Sequence, residues 1–308
     1  MSILVIGSFM MDLVVRTPRV PENGETIIGK ALLRFPGGKG ANQAVAAARL
    51  SGNVTMAGMV GVDQFGNEAI DVLNQEKVNS NYIQRDLENS TGVGLVMVEA
   101  NGNNRIVIIP GANLSFKAKD LEQIRGMIND FDIVLMQLEM DLEMIEKAVT
   151  YADDAGVPII LNPAPAQKLS DDLLKKITYL TPNETEAEIL TGIKIHTKED
   201  AEKAGRLLLE KGVQHVIITL GEKGALIVDK SGTTYVPGFP VTPYDTVAAG
   251  DAFNGALSVG ITGGKSLVDA VKHANAVGAL AVTKQGAIPS LPHFEEVEEF
   301  IKAKEVLQ

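Results

Sequence analysis

The chain has 308 residues, of which 45% are hydrophobic and 22% charged, with a formal net charge of −11 and no cysteine. The negative charge argues against nucleic-acid binding, which needs a basic surface, although local donors can still bind a small anion. The lack of cysteine excludes disulfides, thiolate catalysis and cysteine-based zinc sites, and with no long apolar run or basic leader we expect a cytoplasmic protein without a membrane span or signal peptide.

Short apolar strands alternate with longer helical patterns along the chain. The strand-like runs are "ILVIG", "VTMAGMVG", "DIVLMQLE", "VPIILNP", "ITYLTPNE" and "HVIITLG". The helical patterns cover "GANQAVAAARL", "ETEAEIL", residues 64–77, 141–155, 171–176 and 198–211, and most of the tail from residue 251. Nearly continuous apolar strands are typical of strands buried on both faces. The alternation therefore predicts an α/β fold with a mostly parallel central sheet and helices on both faces.

Two segments, 13–35 and 91–109, break this alternation because they contain β-prone pieces and turns but no helix. The second reads as a hairpin that turns at Asn101-Gly102. We predict that both segments form a small antiparallel sheet attached to a single domain over residues 1–308. Such a sheet would be a lid over a site, a dimer interface or both; the alternative is a pair of surface hairpins without a role.

The first polar feature is Asp12 in "SFMMD", which interrupts an apolar run. In extended chain Met10 points to the same side as Asp12, whereas Met11 points to the other side and is expected to pack in the core. The next feature, "PGGKGANQ", places three glycines at a helix start, where free amides attract oxygen ligands. Lys39 and Asn42 add side-chain donors there. The alternative is a tight turn that caps the helix.

Further along, Asn183 and Glu186 straddle a helix start in "TPNETEAE". Oxygen ligands at this spacing could hold Mg²⁺ through water, or they could simply cap the helix. The following stretch, "TLGEKGALIV", is a strand, a glycine turn and a second strand, and either contacts a nucleotide or is an ordinary loop.

The strongest chemical signal is "YDTVAAGDAFNGAL", where small residues precede a helix that begins near Asp251. Amides at that helix start would form an anion hole, and Asp251 could act as a general base facing the same ligand. This is the combination that phosphoryl transfer to an alcohol requires. The alternative is a capping aspartate. "VGITGGKS" only approaches a Walker A motif, because Val259 stands where its first glycine is needed.

Taken in order, these stretches resemble the ribokinase-like carbohydrate kinase family. The match runs through "GSFMMD", "GGKGANQA", "MQLE", "LNPAPA", "TPNETEAE", "TLGEKG", "DTVAAGDAFNGAL" and "AVTKQGAIPS" and covers nearly the whole chain. The chain is most similar to the ribokinase and deoxyribokinase branches. The resemblance implies the family's fold, an ATP-dependent sugar kinase, and a homodimer formed through the lid.

The resemblance also implies roles for individual residues. Asp251 would be the base that activates the sugar hydroxyl, and Ala249 and Gly250, with the Asp251 amide, would form the anion hole. The sugar pocket would be lined by Asp12, Gly38, Lys39, Asn42 and Glu139, with Met10 beside them. ATP would contact Asn183, Thr219, Gly221, Gly224, Gly250 and Asn275, and Glu186 would lie near Mg²⁺. A monovalent cation, typically K⁺, would lie at Asp245, Val247, Ala281, Lys284, Gly286 and Ser290.

Met10 is the departure that bears on the substrate, because ribokinases carry asparagine there and deoxyribokinases are similar to this chain in carrying methionine. Methionine cannot donate a hydrogen bond and accepts only weakly. A sugar hydroxyl buried against it would lose about 1–3 kcal/mol, whereas a sugar without that hydroxyl would gain apolar contact. We therefore expect phosphorylation of the 5-hydroxyl of 2-deoxy-D-ribose, with weaker activity on D-ribose. The alternatives within the class are a ribokinase and a kinase of another furanose or a nucleoside.

Two other classes of protein compete with the kinase. A non-catalytic sugar- or nucleotide-binding protein would have no need of Asp251. A dinucleotide-dependent oxidoreductase would need a G-x-G-x-x-G motif after a strand, and the sequence has none.

Overall fold

The computed structural model describes residues 1–101 and 103–305, so Gly102, in the predicted hairpin turn, lies outside the described residues. The strands are β1 (Ser2–Ile6), β2 (Met10–Arg16), β3 (Ala31–Gly37), β4 (Asn53–Gly61), β5 (Asn79–Asp86), β6 (Gly92–Val98), β7 (Asn104–Ile109), β8 (Ile133–Met136), β9 (Ile159–Leu161), β10 (Tyr179–Leu180), β11 (His215–Thr219), β12 (Gly224–Asp229) and β13 (Gly232–Pro237). The helices are α1 (Lys39–Arg49), α2 (Gln64–Gln75), α3 (Glu122–Arg125), α4 (Leu142–Asp154), α5 (Asp171–Leu174), α6 (Glu184–Thr191), α7 (Lys198–Glu210), α8 (Ala249–Thr262), α9 (Leu267–Ala281) and α10 (Phe294–Glu305).

Nine strands form the central sheet in the order β13-β12-β11-β10-β9-β8-β1-β4-β5. All pairs from β5 to β11 are parallel, and only β12 runs antiparallel to its two neighbours. The predicted mostly parallel sheet is therefore confirmed. The carboxyl ends of the parallel strands meet at one edge, where ligands bind in open α/β sheets.

The helices cover both faces of the central sheet, as predicted. Alternate residues of β1 show this, because Ile3 and Val5 join the core that contains α1, α2, α8, α9 and α10. Leu4 and Ile6 point the other way, into the core that contains α3 to α7. Each face of the strands thus buries apolar side chains, which explains their nearly continuous apolar sequence.

The second sheet is small, with four strands in the order β3-β2-β6-β7. Its two outer pairs are antiparallel, whereas the central pair, β2 and β6, is parallel. β2 begins at Met10, three residues before the segment assigned to this sheet from the sequence. The residues next to the end of β1 therefore already belong to the small sheet.

Two strands of the central sheet, β5 and β13, were not predicted, and they form its two edges. β5 reads "NSNYIQRD" and has largely polar, partly exposed residues because it lies at the edge of the sheet. An edge strand need not be apolar on both faces, so it lacks the pattern that identified the others. In the described ranges, 1–101 and 103–305, no helix has the length and apolarity needed to cross a membrane.

Helix α8 packs closely against α1, and Gly255 lies at the contact. A Cβ atom at this position would lie 2.6 Å from Cβ of Ala46 and 2.8 Å from the carbonyl oxygen of Gln43. Backbone atoms cannot move aside as a flexible side chain can. A glycine is therefore required for the two helices to approach this closely.

The substitution Gly255→Ala should lower the free energy of unfolding by about 1–3 kcal/mol, because overpacking forces the two helices apart. The matched control is Gly126→Ala, where an added Cβ has no atom within 4 Å and the backbone φ is −69°. Urea and thermal unfolding of the two variants measure the effect. If both variants have the same free energy of unfolding as the parent protein, the α1–α8 contact is looser than described.

Candidate active site

A cavity of about 840 Å³ lies between the small sheet and the carboxyl edge of the central sheet. Its walls come from β2, the start of α1, the residues after β8 to β10, and the loop before α8. The seven residues assigned to a sugar pocket all line this first cavity: Met10, Asp12, Gly38, Lys39, Asn42, Glu139 and Asp251. The fold thus gathers side chains from four separate parts of the chain around one space.

A second cavity of about 500 Å³ adjoins the first. The six residues assigned to nucleotide binding all line it: Asn183, Thr219, Gly221, Gly224, Gly250 and Asn275. The amide nitrogen of the Asn275 side chain donates to the carbonyl oxygens of Val236 and Pro237, so this side chain also ties α9 to the end of β13. The remaining lining is largely apolar and includes Phe239 and Phe253.

The two cavities share the N-terminus of α8 as a common wall. Ala249 and Gly250, the first residues of the helix, line both. Ala248 before them has φ 61° and ψ 7°, a left-handed conformation that is unusual for a residue with a Cβ. The first amides of a helix have no intrahelical acceptor, and the helix dipole makes this end positive. The junction of the cavities is therefore suited to hold a negatively charged group.

Asp251 lies in the first turn of α8, at the edge of the first cavity, with only 5% of its surface exposed. Each of its carboxylate oxygens accepts a hydrogen bond from α1. The side-chain amide of Asn42 donates to Oδ2 at 2.8 Å, and that of Gln43 donates to Oδ1 at 2.9 Å. Neutral donors fix the carboxylate without neutralising it, which leaves it able to accept a proton.

Glu139 and Lys39 lie beside this carboxylate. Oε2 of Glu139 accepts hydrogen bonds from the hydroxyl of Ser8 at 2.5 Å and the backbone amide of Lys39 at 2.9 Å. Burial nevertheless raises the pKa of Glu139. The negative charge of Asp251, and then those of Glu139 and Glu186, raises the pKa of Lys39, so the lysine stays positive. This part of the cavity thus combines the Lys39 cation with several acceptors of hydroxyl protons.

Met10 and Asp12 face the first cavity from β2, and Met10 is 4% exposed. Met11, between them, is fully buried in the core. Burial, with a smaller contribution from Glu139, raises the pKa of Asp12 to about 6. Gly38, at the start of α1, has φ 92°, and a Cβ there would lie 2.6 Å from the backbone nitrogen of Met10. The glycine turn and the small sheet are therefore in direct contact.

Asn183 and Glu186 form a capping box at the start of α6, so the capping alternative is present. The Asn183 side chain accepts from the Glu186 amide and the Glu186 side chain accepts from the Asn183 amide, both at 2.8 Å. Glu186 also lines the first cavity, and burial raises its pKa. Within the described part of the chain, no group of three or more histidine, aspartate and glutamate residues is placed to hold a metal ion.

Three of the six residues assigned to a monovalent cation line the first cavity, and the other three do not. Asp245 accepts from the amides of Val247 and Gly286, both at 3.0 Å, and these three line the first cavity. Ala281, Lys284 and Ser290 do not appear in the lining of either cavity. The Lys284 ammonium donates to Glu296 and the Ser290 hydroxyl to the carbonyl of Ala287. Asp245 thus joins two loops, one before α8 and one after α9.

The sequence patterns did not identify a set of buried side-chain amides, with one hydroxyl, that is hydrogen-bonded to Asp251 through Gln43. These residues are Gln43, Gln137, Asn162, Thr181 and Asn254, and hydrogen bonds link them. Asn254 also donates to the carbonyl of Gly250 at 2.8 Å. Three of them directly follow β8, β9 and β10. A polar residue at the carboxyl end of a buried strand was the signal that could have identified them.

Comparison with known proteins identifies the family. A family model described as pfkB family carbohydrate kinase matches residues 1–293. The chain belongs to the pfkB family. The predicted resemblance is thereby confirmed, and this pfkB kinase is a ribokinase-type sugar kinase, a phosphotransferase with an alcohol group as acceptor.

Several pfkB relatives are similar over nearly the whole chain. A ribokinase of Haemophilus influenzae is 40% identical over 98% of each chain, and a deoxyribokinase of Salmonella typhi is 38% identical over 99% of this chain and 100% of the relative. The structure of an Arabidopsis thaliana ribokinase complexed with ribose and ATP has a TM-score of 0.92 and 32% identity, covering 97% of this chain and 98% of that one. A relative named ribokinase and a relative named deoxyribokinase are thus about equally similar to this chain.

Asp12 should destabilise the unliganded kinase above pH 6. Its folded pKa of about 6 exceeds the ordinary value of 3.8, so the folded state favours the protonated form. The stability that the protonated Asp12 carboxyl gives to the folded state is fully present below pH 3.8 and is lost as the pH rises through 6. Asp12→Asn, which stays neutral, should therefore raise the free energy of unfolding by up to about 3 kcal/mol at pH 8 and by about half as much at pH 5.

Urea unfolding at the two pH values measures this difference. The control is Asp172→Asn, an exposed aspartate whose pKa is lowered by Lys175, which should gain no stability at pH 8. An equal gain for Asp12→Asn at both pH values would show that ionisation of Asp12 is not its cause.

Proposed function

We propose that the protein transfers the γ-phosphoryl group of MgATP to the 5-hydroxyl of 2-deoxy-D-ribose, with weaker activity on D-ribose. The observation that carries the proposal is the junction of two cavities at the N-terminus of α8, with Asp251 at the edge of the first. A sugar in the first cavity and a nucleotide in the second would meet at this point. Ribose and ATP together in the related Arabidopsis structure support the same arrangement.

In the proposed reaction Asp251 takes the proton of the sugar hydroxyl as the oxygen attacks phosphorus. The amides of Ala249, Gly250 and Asp251 stabilise the negative charge on the transferring group. Lys39, whose pKa is raised by Asp251, adds positive charge beside them. Asp12 and Glu139 accept hydrogen bonds from the other sugar hydroxyls and hold the reacting one in line.

Two cations belong to the proposal. Mg²⁺ usually keeps several waters and binds with substrate phosphates, and Glu186 is the carboxylate that would hold it through water. For K⁺, the carboxylate of Asp245, the hydroxyl of Ser290 and backbone carbonyls of the two joined loops are oxygen donors of a suitable kind. Either cation would offset negative charge near the phosphates.

Met10 supports 2-deoxy-D-ribose as the preferred sugar. Its side chain is nearly fully buried and lines the first cavity two residues before Asp12. A hydroxyl facing it would lose a hydrogen-bond partner, whereas a deoxy position would pack against the thioether. D-ribose is the second candidate, because a ribokinase is 40% identical to this chain.

We also propose that the small sheet is a lid and a dimer contact, within a single domain over residues 1–308 and in the cytoplasm. One side of the sheet lines the first cavity with Val14, Val96 and Ile106. On β7, residues that point to either side are about half exposed, including 51% for Val107. Closure of the sheet over the sugar would exclude water, and a second copy would cover the exposed apolar residues.

Asp251→Asn tests the base. The substitution keeps the shape and removes the proton acceptor, so we expect turnover to fall about 10²–10⁴-fold while ATP binding and the melting temperature stay close to the parent values. ADP release with 2-deoxy-D-ribose measures turnover. The control is Asp269→Asn, which occupies the same position in the first turn of α9 but is exposed. Turnover within a few-fold of the parent would contradict the assignment of the base.

Met10→Asn tests the sugar. An amide in place of the thioether restores a partner for the hydroxyl, so kcat/KM should rise for D-ribose and fall for 2-deoxy-D-ribose, changing their ratio by about 10-fold or more. The control is Met97→Asn, on the same small sheet but outside the lining of the first cavity. A parent that prefers D-ribose, with a ratio unchanged by Met10→Asn, would contradict the deoxy-sugar and leave the kinase intact.

A further inference from the structure

Gln43 is a fully buried glutamine on α1, and its side chain contacts Asp251, the proposed base. Its Nε2 donates to Oδ1 of Asp251 at 2.9 Å and to Oδ1 of Asn162 at 3.1 Å. Its Oε1 accepts from Nε2 of Gln137 at 2.6 Å. All the bonding groups of this one amide are therefore directed at named partners.

The partners allow only one orientation of the Gln43 amide. An ionised Asp251 can only accept hydrogen bonds, so it must face the NH₂ group. Asn162 also presents its oxygen, because its own amide nitrogen donates to the carbonyl of Thr181. The NH₂ group of Gln137 then meets the remaining oxygen of Gln43. A flipped amide would place oxygen against oxygen at two positions.

Gln43 thereby connects the base to the central sheet. Gln137 directly follows β8 and Asn162 directly follows β9, whereas Asp251 is on α8. The two strand ends fix Gln43, and Gln43 fixes one oxygen of the carboxylate. Asn42, its neighbour on α1, fixes the other oxygen. The carboxylate therefore cannot rotate without breaking a buried hydrogen bond.

We infer that Gln43 is a positioning residue for phosphoryl transfer, which sets the rotation of the Asp251 carboxylate. The inference rests on the proposed function, in which Asp251 is the base. A fixed rotation keeps the proton acceptor directed at the sugar hydroxyl.

The main test is Gln43→Met, which keeps most of the side-chain volume and removes the amide. We expect kcat to fall about 10- to 100-fold with the KM for the sugar within about threefold, because the sugar pocket is intact but the base is misplaced. A merely structural role would raise the KM for the sugar together with the loss of kcat.

Two further variants accompany it. Gln137→Met removes the donor that fixes the Gln43 amide but leaves the bond to Asp251 possible, so it should lower kcat by a smaller factor, again with little change in the KM for the sugar. It carries the test by itself if Gln43→Met does not fold. Gln84→Met is the matched control, because its amide donates to the backbone carbonyl of Asp120 outside the lining of both cavities, and kcat and KM should stay unchanged.

The double variant Gln43→Met with Asp251→Asn separates the inference from the proposed function. If Gln43 acts through Asp251, adding Gln43→Met should change the residual rate of Asp251→Asn less than about twofold. The same 10- to 100-fold loss in both backgrounds would overturn the inference. So would an unchanged kcat in both Gln43→Met and Gln137→Met while Asp251→Asn is inactive, and this result would leave the proposed base in place. An active Asp251→Asn would overturn both.

Discussion

The arrangement of the site depends on one buried carboxylate between two helices. Asp251 extends from α8, and both of its oxygens accept hydrogen bonds from consecutive residues of α1, Asn42 and Gln43. Burying an ionised group is costly unless hydrogen bonds compensate for the lost water. The contact between α1 and α8 therefore has to be close, and Gly255 is the residue that permits this. Packing and chemistry are here determined by the same contact.

The same contact explains why the cavities adjoin. Because α8 is held against α1, its N-terminus lies at the carboxyl edge of the sheet, where β8 to β11 end. Its first amides line both cavities. Lys39 lies among Asp251, Glu139 and Glu186 and offsets part of the negative charge around this N-terminus. A strongly acidic chain can thus provide a local site for a phosphoryl group.

The small sheet adds the part of the site to which the proposed choice of sugar is assigned. β2 starts next to the end of β1, so Met10 and Asp12 reach the first cavity at its side nearest the central sheet. The raised pKa of Asp12 shows that this position is unfavourable for a carboxylate in the free protein. A group that destabilises the fold while facing a cavity is typical of a functional residue. The apolar thioether of Met10, by contrast, is buried at this position without such a cost.

The sequence by itself determined that the sheet is mostly parallel, how strands and helices alternate along the chain, and which family the chain resembles. It could do so because continuous apolar strands, periodic helices and glycine-rich helix starts are local patterns. It also singled out Asp12, Asp251 and the residues around them. It missed β5 and β13, whose edge positions relax the apolar pattern. It also missed Gln43, Gln137 and Asn162: their positions after β8 and β9 mark Gln137 and Asn162 only as polar residues at the ligand edge, and no local pattern marks Gln43. Only the tertiary structure decided that these amides meet at Asp251, since their contacts join residues 94 to 208 positions apart.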